Sequence, residues 1–284
     1  SIDWRREFTT IIPAYQKFIE WQFRNLKEKN LIVQGNHPVG WCPNDQNPVS
    51  QHDTLGDVEP DFTEYIVIKF NMGDEIIPVA TLRPETLFGV TNLWINPEIV
   101  YKKVKVDGEI WIISAECAYK LEFLNKKIQI MEDIPGSELI GNKVHSPTNE
   151  DEFLILPASF VTATTGTGIV MSVPAHAPYD FQALEDIKNG NQKNIEVSLR
   201  DEAVKIKPVS IITTEGFGDI PSLDVIKRMG ITNQDDPKLE GATKEIYSKE
   251  FYEGNLNSNT GEFAGKKITF VKEEIKEWIS KTGK

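Results

Sequence analysis

Cysteine is nearly absent, with Cys42 and Cys117 the only two among 284 residues. That number excludes a disulfide framework and suits a reducing, cytoplasmic compartment. Long apolar runs are missing too. The strongest, Tyr65 to Phe70 and Ile110 to Ser114, fall far short of the roughly 20 residues a membrane-crossing helix needs. Arginine is scarce, confined to positions 5, 6, 24, 83, 200 and 228, and the 31 basic residues face 43 acidic ones for a net charge of −12. A broad nucleic-acid-gripping surface is therefore excluded. No initiator Met and no signal peptide open the chain, which begins at Ser1, so the sequence reads as a piece of something longer. No repeat is visible. What is present is an ordinary globular balance, 39% hydrophobic and 26% charged, which rules out a disordered chain.

Spacings of three and four among Tyr15, Phe18, Ile19, Phe23 and Leu26 predict an amphipathic helix over 14–30. Closely spaced prolines at 38, 43, 48 and 60 predict an irregular connector over 35–61. Strands are expected at 65–70, 76–82, 91–95, 101–106, 110–113, 127–131, 153–157, 168–173 and 209–213. The pair 101–106 and 110–113 is joined through Asp107-Gly108, a hairpin signal. Helices are expected at 114–123 with Ser114 as cap, 179–188, 222–229 ended by Gly230, 238–251 and 272–281, with 188–202 a polar loop. The fold class is α/β, a curved or barrel-like β core surrounded by helices. Its parts are a lead-in arm and connector at 1–60, a central domain at 61–250 and a return arm at 251–284.

Two stretches gather hydroxyl and turn residues around apolar strands. In the first, Thr81-Leu82-Arg83-Pro84-Glu85-Thr86, Pro84 ends the strand and puts Thr81 and Thr86 on either side of a turn, with hydroxyls free for a ligand. In the second, 162–180, Gly166 and Gly168 allow close backbone approach and Asp180 falls at a helix entry. Asp180 could simply stabilise that helix N-terminus, and the Thr runs could be strand residues. Gly166-Thr167-Gly168 lacks the Lys-Ser/Thr ending of a phosphate loop. His176 could serve as a base or as a wall residue, with no nucleophile beside it in sequence. His37, Cys42, His52 and Asp53 lack paired Cys-x-x-Cys spacing, so no metal site is expected.

The stretches TLRPETLFGVTNLWINPE (81–98) and GTGIVMSVPAHAPYD (166–180) resemble the two signature segments of the editing domain inserted in archaeal and eukaryotic cytosolic leucyl-tRNA synthetases. Leu82 and the Ala-His-Ala-Pro-Tyr-Asp turn favour leucyl over isoleucyl and valyl relatives, and SIDWRREFTT (1–10) with IKEWISKTG (275–283) resemble the arms joining the insert to its parent. The resemblance implies hydrolysis of the ester joining a noncognate amino acid to the 3′-terminal adenosine of tRNA(Leu). By it, Asp180 anchors the substrate's ammonium, Thr81 bonds the ribose or attacking water, and Thr86 bars leucine. Met171, Ser172 and Val173 line the pocket, Arg83 lies near its rim, and His176 contacts substrate. The ATP-binding signatures of the parent, His-x-Gly-His and Lys-Met-Ser-Lys-Ser, have no match. The fragment is thus expected to need no cofactor, while the rest of the parent synthetase, its expected partner, would use ATP and Mg. Trp41-Cys42-Pro43 is followed by Asn44 and Asp45, so the second cysteine of the Trp-Cys-Pro-x-Cys zinc knuckle found in relatives is missing. A tRNA- or protein-docking module without hydrolysis, and a valyl-type editing domain, remain the alternatives.

Overall fold

The computed structural model describes residues 3, 5, 7–35, 39–42, 44–56, 64–148, 151–192 and 195–282. The chain divides into two compact units, Ser1–Phe62 and Thr63–Lys284. In the first, helix α1 (Pro13–Glu28) starts on the proline that the first helical turn tolerates. It buries none of its residues, and Phe18, Trp21 and Phe23 are exposed. The expected irregular connector instead contains a small antiparallel ribbon, β1 (Gly40–Cys42) on β2 (Asn47–Val49). Proline does not prevent it, because a two-stranded ribbon has outer sides where Pro48 needs no donor, and Gln46 takes the left-handed turn conformation at φ 49°. His37 lies outside the described residues.

In the second unit, β3 (Ile66–Met72), β4 (Glu75–Thr81), β5 (Asn92–Ile95), β6 (Val100–Val106), β7 (Glu109–Ser114), β8 (Ile128–Pro135), β9 (Lys143–His145), β10 (Glu152–Pro157) and β11 (Val170–Ser172) form one sheet. Their order is β11-β5-β10-β9-β3-β4-β7-β6-β8. The β6–β7 hairpin turns on Asp107 and Gly108, both at positive φ, as the primed turns of tight hairpins require. The sheet curls strongly. The loop before β11, at one end of the strand order, reaches back to β6 and β7, where Thr167 O accepts from Ser114 N at 2.9 Å and Gly168 O from the Tyr101 hydroxyl at 2.7 Å.

Helix α2 (Ala115–Glu122) is capped by Ser114, whose hydroxyl accepts from the amide of Cys117, leaving its own proton for Ala163 O at 2.7 Å. After the short α3 (Gly136–Leu139), α4 (Pro178–Lys188) and α5 (Val197–Lys205) cover Trp94 and Leu156. Helix α5 replaces the expected loop over 188–202. Only Leu199 and Ala203 of it are buried, and Arg200 donates twice to Lys188 O at the end of α4, so tertiary contacts fix a helix that composition conceals. Beyond β12 (Ile212–Thr213), helices α6 (Pro221–Met229) and α7 (Lys238–Glu253) pack on Phe181. Gly230 ends α6 in the left-handed conformation. Strand β13 (Asn255–Leu256) pairs with β12, and α8 (Ile268–Thr282) returns Ile268, Val271, Ile275 and Ile279 to the main core.

Candidate active site

A cavity of about 290 Å³ opens between β4, the turn after it, β11, the start of α4 and one face of α7. It brings together seven of the eight expected site residues: Thr81, Arg83, Thr86, Met171, Val173, His176 and Asp180. Ser172 is absent from its walls. Val170, Met171 and Val173 line the cavity, whereas Ser172 is fully buried and does not. The expectation that Ser172 lines the pocket is corrected accordingly; its carbonyl takes the amide of Thr91 at 3.0 Å.

The hydroxyls of Thr81 and Thr86 are not both free. Pro84 opens a 3-10 turn through Gly89. Thr81 Oγ1 accepts from the amide of Arg83 at 3.0 Å, and Thr86 Oγ1 donates to Arg83 O at 2.7 Å. Thr81 keeps a proton to give. Thr86 has spent its proton on the turn, which leaves it as bulk in the cavity wall.

Asp180 lies in the first turn of α4, 4% exposed. Its Oδ2 accepts from the amide of Val173 at 2.7 Å, so the carboxylate leans onto β11. Burial pushes its pKa up to about 7, against that hydrogen bond and the nearby indole of Trp94, both of which favour the ionised form. Trp94 Nε1 itself is buried without a well-formed hydrogen bond. Such a carboxyl gains much from a cation placed against it.

Behind the cavity lies a network that sequence reasoning missed. Arg83 donates through Nε to Glu85 at 3.0 Å and through Nη2 to Glu250 at 2.6 Å, and its guanidinium lies 4.4 Å from the Tyr247 ring centroid. Burial opposes its charge, yet Glu250 and Glu85 outweigh that and raise its pKa. Burial likewise lifts the Tyr247 hydroxyl to about 12. His176 Nε2 accepts from the amide of Ile211 at 2.9 Å, which leaves Nδ1–H to donate to Glu250 Oε1 at 2.6 Å. Both ring nitrogens are thus occupied, and His176 is a fixed wall, not a base or a free donor to substrate. Thr243, Tyr247 and Glu250 sit on one face of α7; Thr243 and Tyr247 line the cavity, and Thr243 Oγ1 is buried without a partner. Their helical spacing was the one available signal, and nothing in it says what the face meets. In the first unit the Cys42 thiol donates to Asp45 at 3.3 Å, and among the described residues no group of three His, Cys, Asp or Glu is placed to hold a metal.

A curved sheet surrounded by helices and carrying a mostly apolar cavity, with one buried acid at a helix start, defines an α/β domain with a candidate site at that cavity. The family model described as "Leucyl-tRNA synthetase, editing domain" matches residues 64–216, more than half of the chain, and the chain belongs to that family. Leucine–tRNA ligases of Methanosarcina barkeri and Archaeoglobus fulgidus are 49% and 45% identical over 96% and 100% of this chain. The chain spans only 28% and 31% of their lengths. Among solved structures, GlLeuRS-CP1 superposes with a TM-score of 0.68 at 25% identity, over 78% of this chain and 96% of its own. The P. knowlesi cytosolic leucyl-tRNA synthetase editing domain gives 0.69 at 21% identity, over 78% and 94%. The valyl alternative is set aside by the family. Helix α7 lies beyond the matched segment.

Proposed function

We propose that this chain hydrolyses the ester linking a noncognate amino acid to the terminal adenosine of tRNA(Leu), within a longer synthetase. The observation carrying this reading is Asp180: a single carboxyl buried in a cavity of about 290 Å³, poised to ionise when a cation arrives. The α-ammonium of an aminoacyl ester is such a cation, and a charge-assisted contact fixes the ester carbonyl relative to it. Water then adds to the carbonyl carbon. The bond from that carbon to the ribose oxygen breaks, the amino acid leaves as its acid and the ribose oxygen takes a proton. Because α-amino esters are already activated, positioning supplies most of what is needed without a covalent nucleophile or a cofactor.

Selectivity rests on Thr86. A synthetic site separates side chains differing by one methylene by only about 1–3 kcal/mol, so a second site is needed that excludes the correct one. With its hydroxyl tied to Arg83 O, Thr86 narrows the cavity against leucine. Thr81, with a proton available, is the donor to ribose or water.

Deacylation of isoleucyl-tRNA(Leu) by the full-length protein tests the reading. Asp180→Ala should abolish it, and Thr86→Ala should begin to hydrolyse leucyl-tRNA(Leu). An active Asp180→Ala protein removes the ammonium anchor. Binding of the mischarged tRNA with no rate above the uncatalysed one would make the chain a docking module.

A further inference from the structure

One carboxylate joins the two signature segments. Glu250 is fully buried on α7. Its Oε2 takes Arg83, which follows Thr81 in the first segment, and its Oε1 takes His176, which precedes Asp180 in the second, each at 2.6 Å. Its backbone is pinned as well: Glu250 O accepts from Gly254 N at 2.8 Å, and a Cβ on Gly254 would lie 2.4 Å from that oxygen. His176 is anchored on its far side by Ile211 N, and Arg83 on its own by Glu85. Two of the five guanidinium donors are thereby committed to carboxylates, and the guanidinium also lies against Tyr247 beside the cavity that Arg83 lines.

We infer that Glu250 is a positioning residue for the deacylation, holding Arg83 and His176 so that the segments bearing Thr81 and Thr86 and the segment bearing Asp180 face one substrate. The inference rests on the functional reading above. Glu250 touches no reacting atom in this scheme. It acts through Arg83, and a glutamine in its place offers only one acceptor oxygen to two donors. Displacement of Arg83 relative to Asp180 then lowers the rate of the bound complex and leaves tRNA binding, made mostly elsewhere on the parent, nearly unchanged.

The test is single-turnover deacylation of isoleucyl-tRNA(Leu) by the full-length protein carrying Glu250→Gln, Glu250→Asp, Arg83→Met, or Arg83→Met with Glu250→Gln. Misplacement of this kind costs up to about 100-fold, so Glu250→Gln should lower the maximal rate about 10- to 100-fold with half-saturation within about 2-fold. Glu250→Asp, charged but shorter, should fall between. In the Arg83→Met background, Glu250→Gln should cost less than about 2-fold more, since partners acting as a unit are not additive. A merely structural glutamate would multiply the two losses, and that outcome overturns the inference, as does a folded Glu250→Gln protein with wild-type rate. Should Glu250→Gln fail to fold, the double variant, which leaves Glu250's partner uncharged, decides: a wild-type rate in it overturns the role, and a rate matching Arg83→Met supports it. A wild-type protein that leaves isoleucyl-tRNA intact overturns the functional reading, and this inference with it.

Discussion

Asp180 combines its proposed role with a stability cost that can be read separately. Its folded pKa, raised by burial to about 7, exceeds its ordinary value of 3.8. Between those two pH values the folded chain keeps a proton that the unfolded chain has lost, so stability falls as pH rises through the window. It levels off above 7. The full penalty is roughly 4 kcal/mol at about 1.4 kcal/mol per pH unit. Asp180→Asn carries no such term and should melt higher than wild type at pH 8, with an advantage that shrinks toward pH 4. Thermal melts at the two pH values check this, and an advantage that grows on acidification would contradict it. Asp180, Thr86 and Arg83 were legible in the sequence because prolines and glycines beside them mark sharp turns next to apolar strands. Glu250 was not, being separated from His176 by 74 positions and brought to it only by tertiary packing. The Thr86 hydroxyl was misread for a local reason: a threonine beside a turn can give its proton to the turn's own backbone, here Arg83 O, before it meets a ligand.

At the scale of elements, the loop that leads into β11 makes a tight join. Gly168 has φ +78°, and a Cβ there would lie 2.6 Å from the Ser114 Cβ and 3.1 Å from its hydroxyl. Ser114 caps α2 and also bonds Ala163 O, so it cannot step aside cheaply. Gly168→Ala should therefore lose about 2–4 kcal/mol, from the left-handed backbone and from overpacking together. Urea unfolding measures it. A loss under about 1 kcal/mol would mean the loop shifts freely. Elements with local signals were legible: the Asp107-Gly108 hairpin, the Ser114 cap and the Gly230 stop all lie where their residue chemistry puts them. Helix α5 and the β1–β2 ribbon were not, because each is decided by partners distant in sequence or by an edge that forgives proline.

For the molecule as a whole, the family-matched segment 64–216 does not contain all of its own core. Ile268, Val271, Ile275 and Ile279 of α8 belong to the same buried cluster as Ile68, Val79 and Leu93. Phe88 also stacks with Phe263 and Trp278, at 5.8 and 5.9 Å. A fragment cut to 64–216 loses these contacts along with Arg83's partner Glu250. It should show no cooperative melt in calorimetry, and a sharp transition would prove that segment self-sufficient. Strand β8 closes the account. In the strand order it is the outer edge opposite β11, with Ile130 and Met131 exposed on it. Such an edge is an invitation to pair with another copy. Here it is refused three ways: Glu132 and Asp133 charge it, Pro135 ends it, and a bulge at Met131, the extra residue opposite Lys103 and Val104, distorts it. The net charge of −12 adds repulsion between copies, so pairing through β8 is disfavoured at the sheet edge opposite β11.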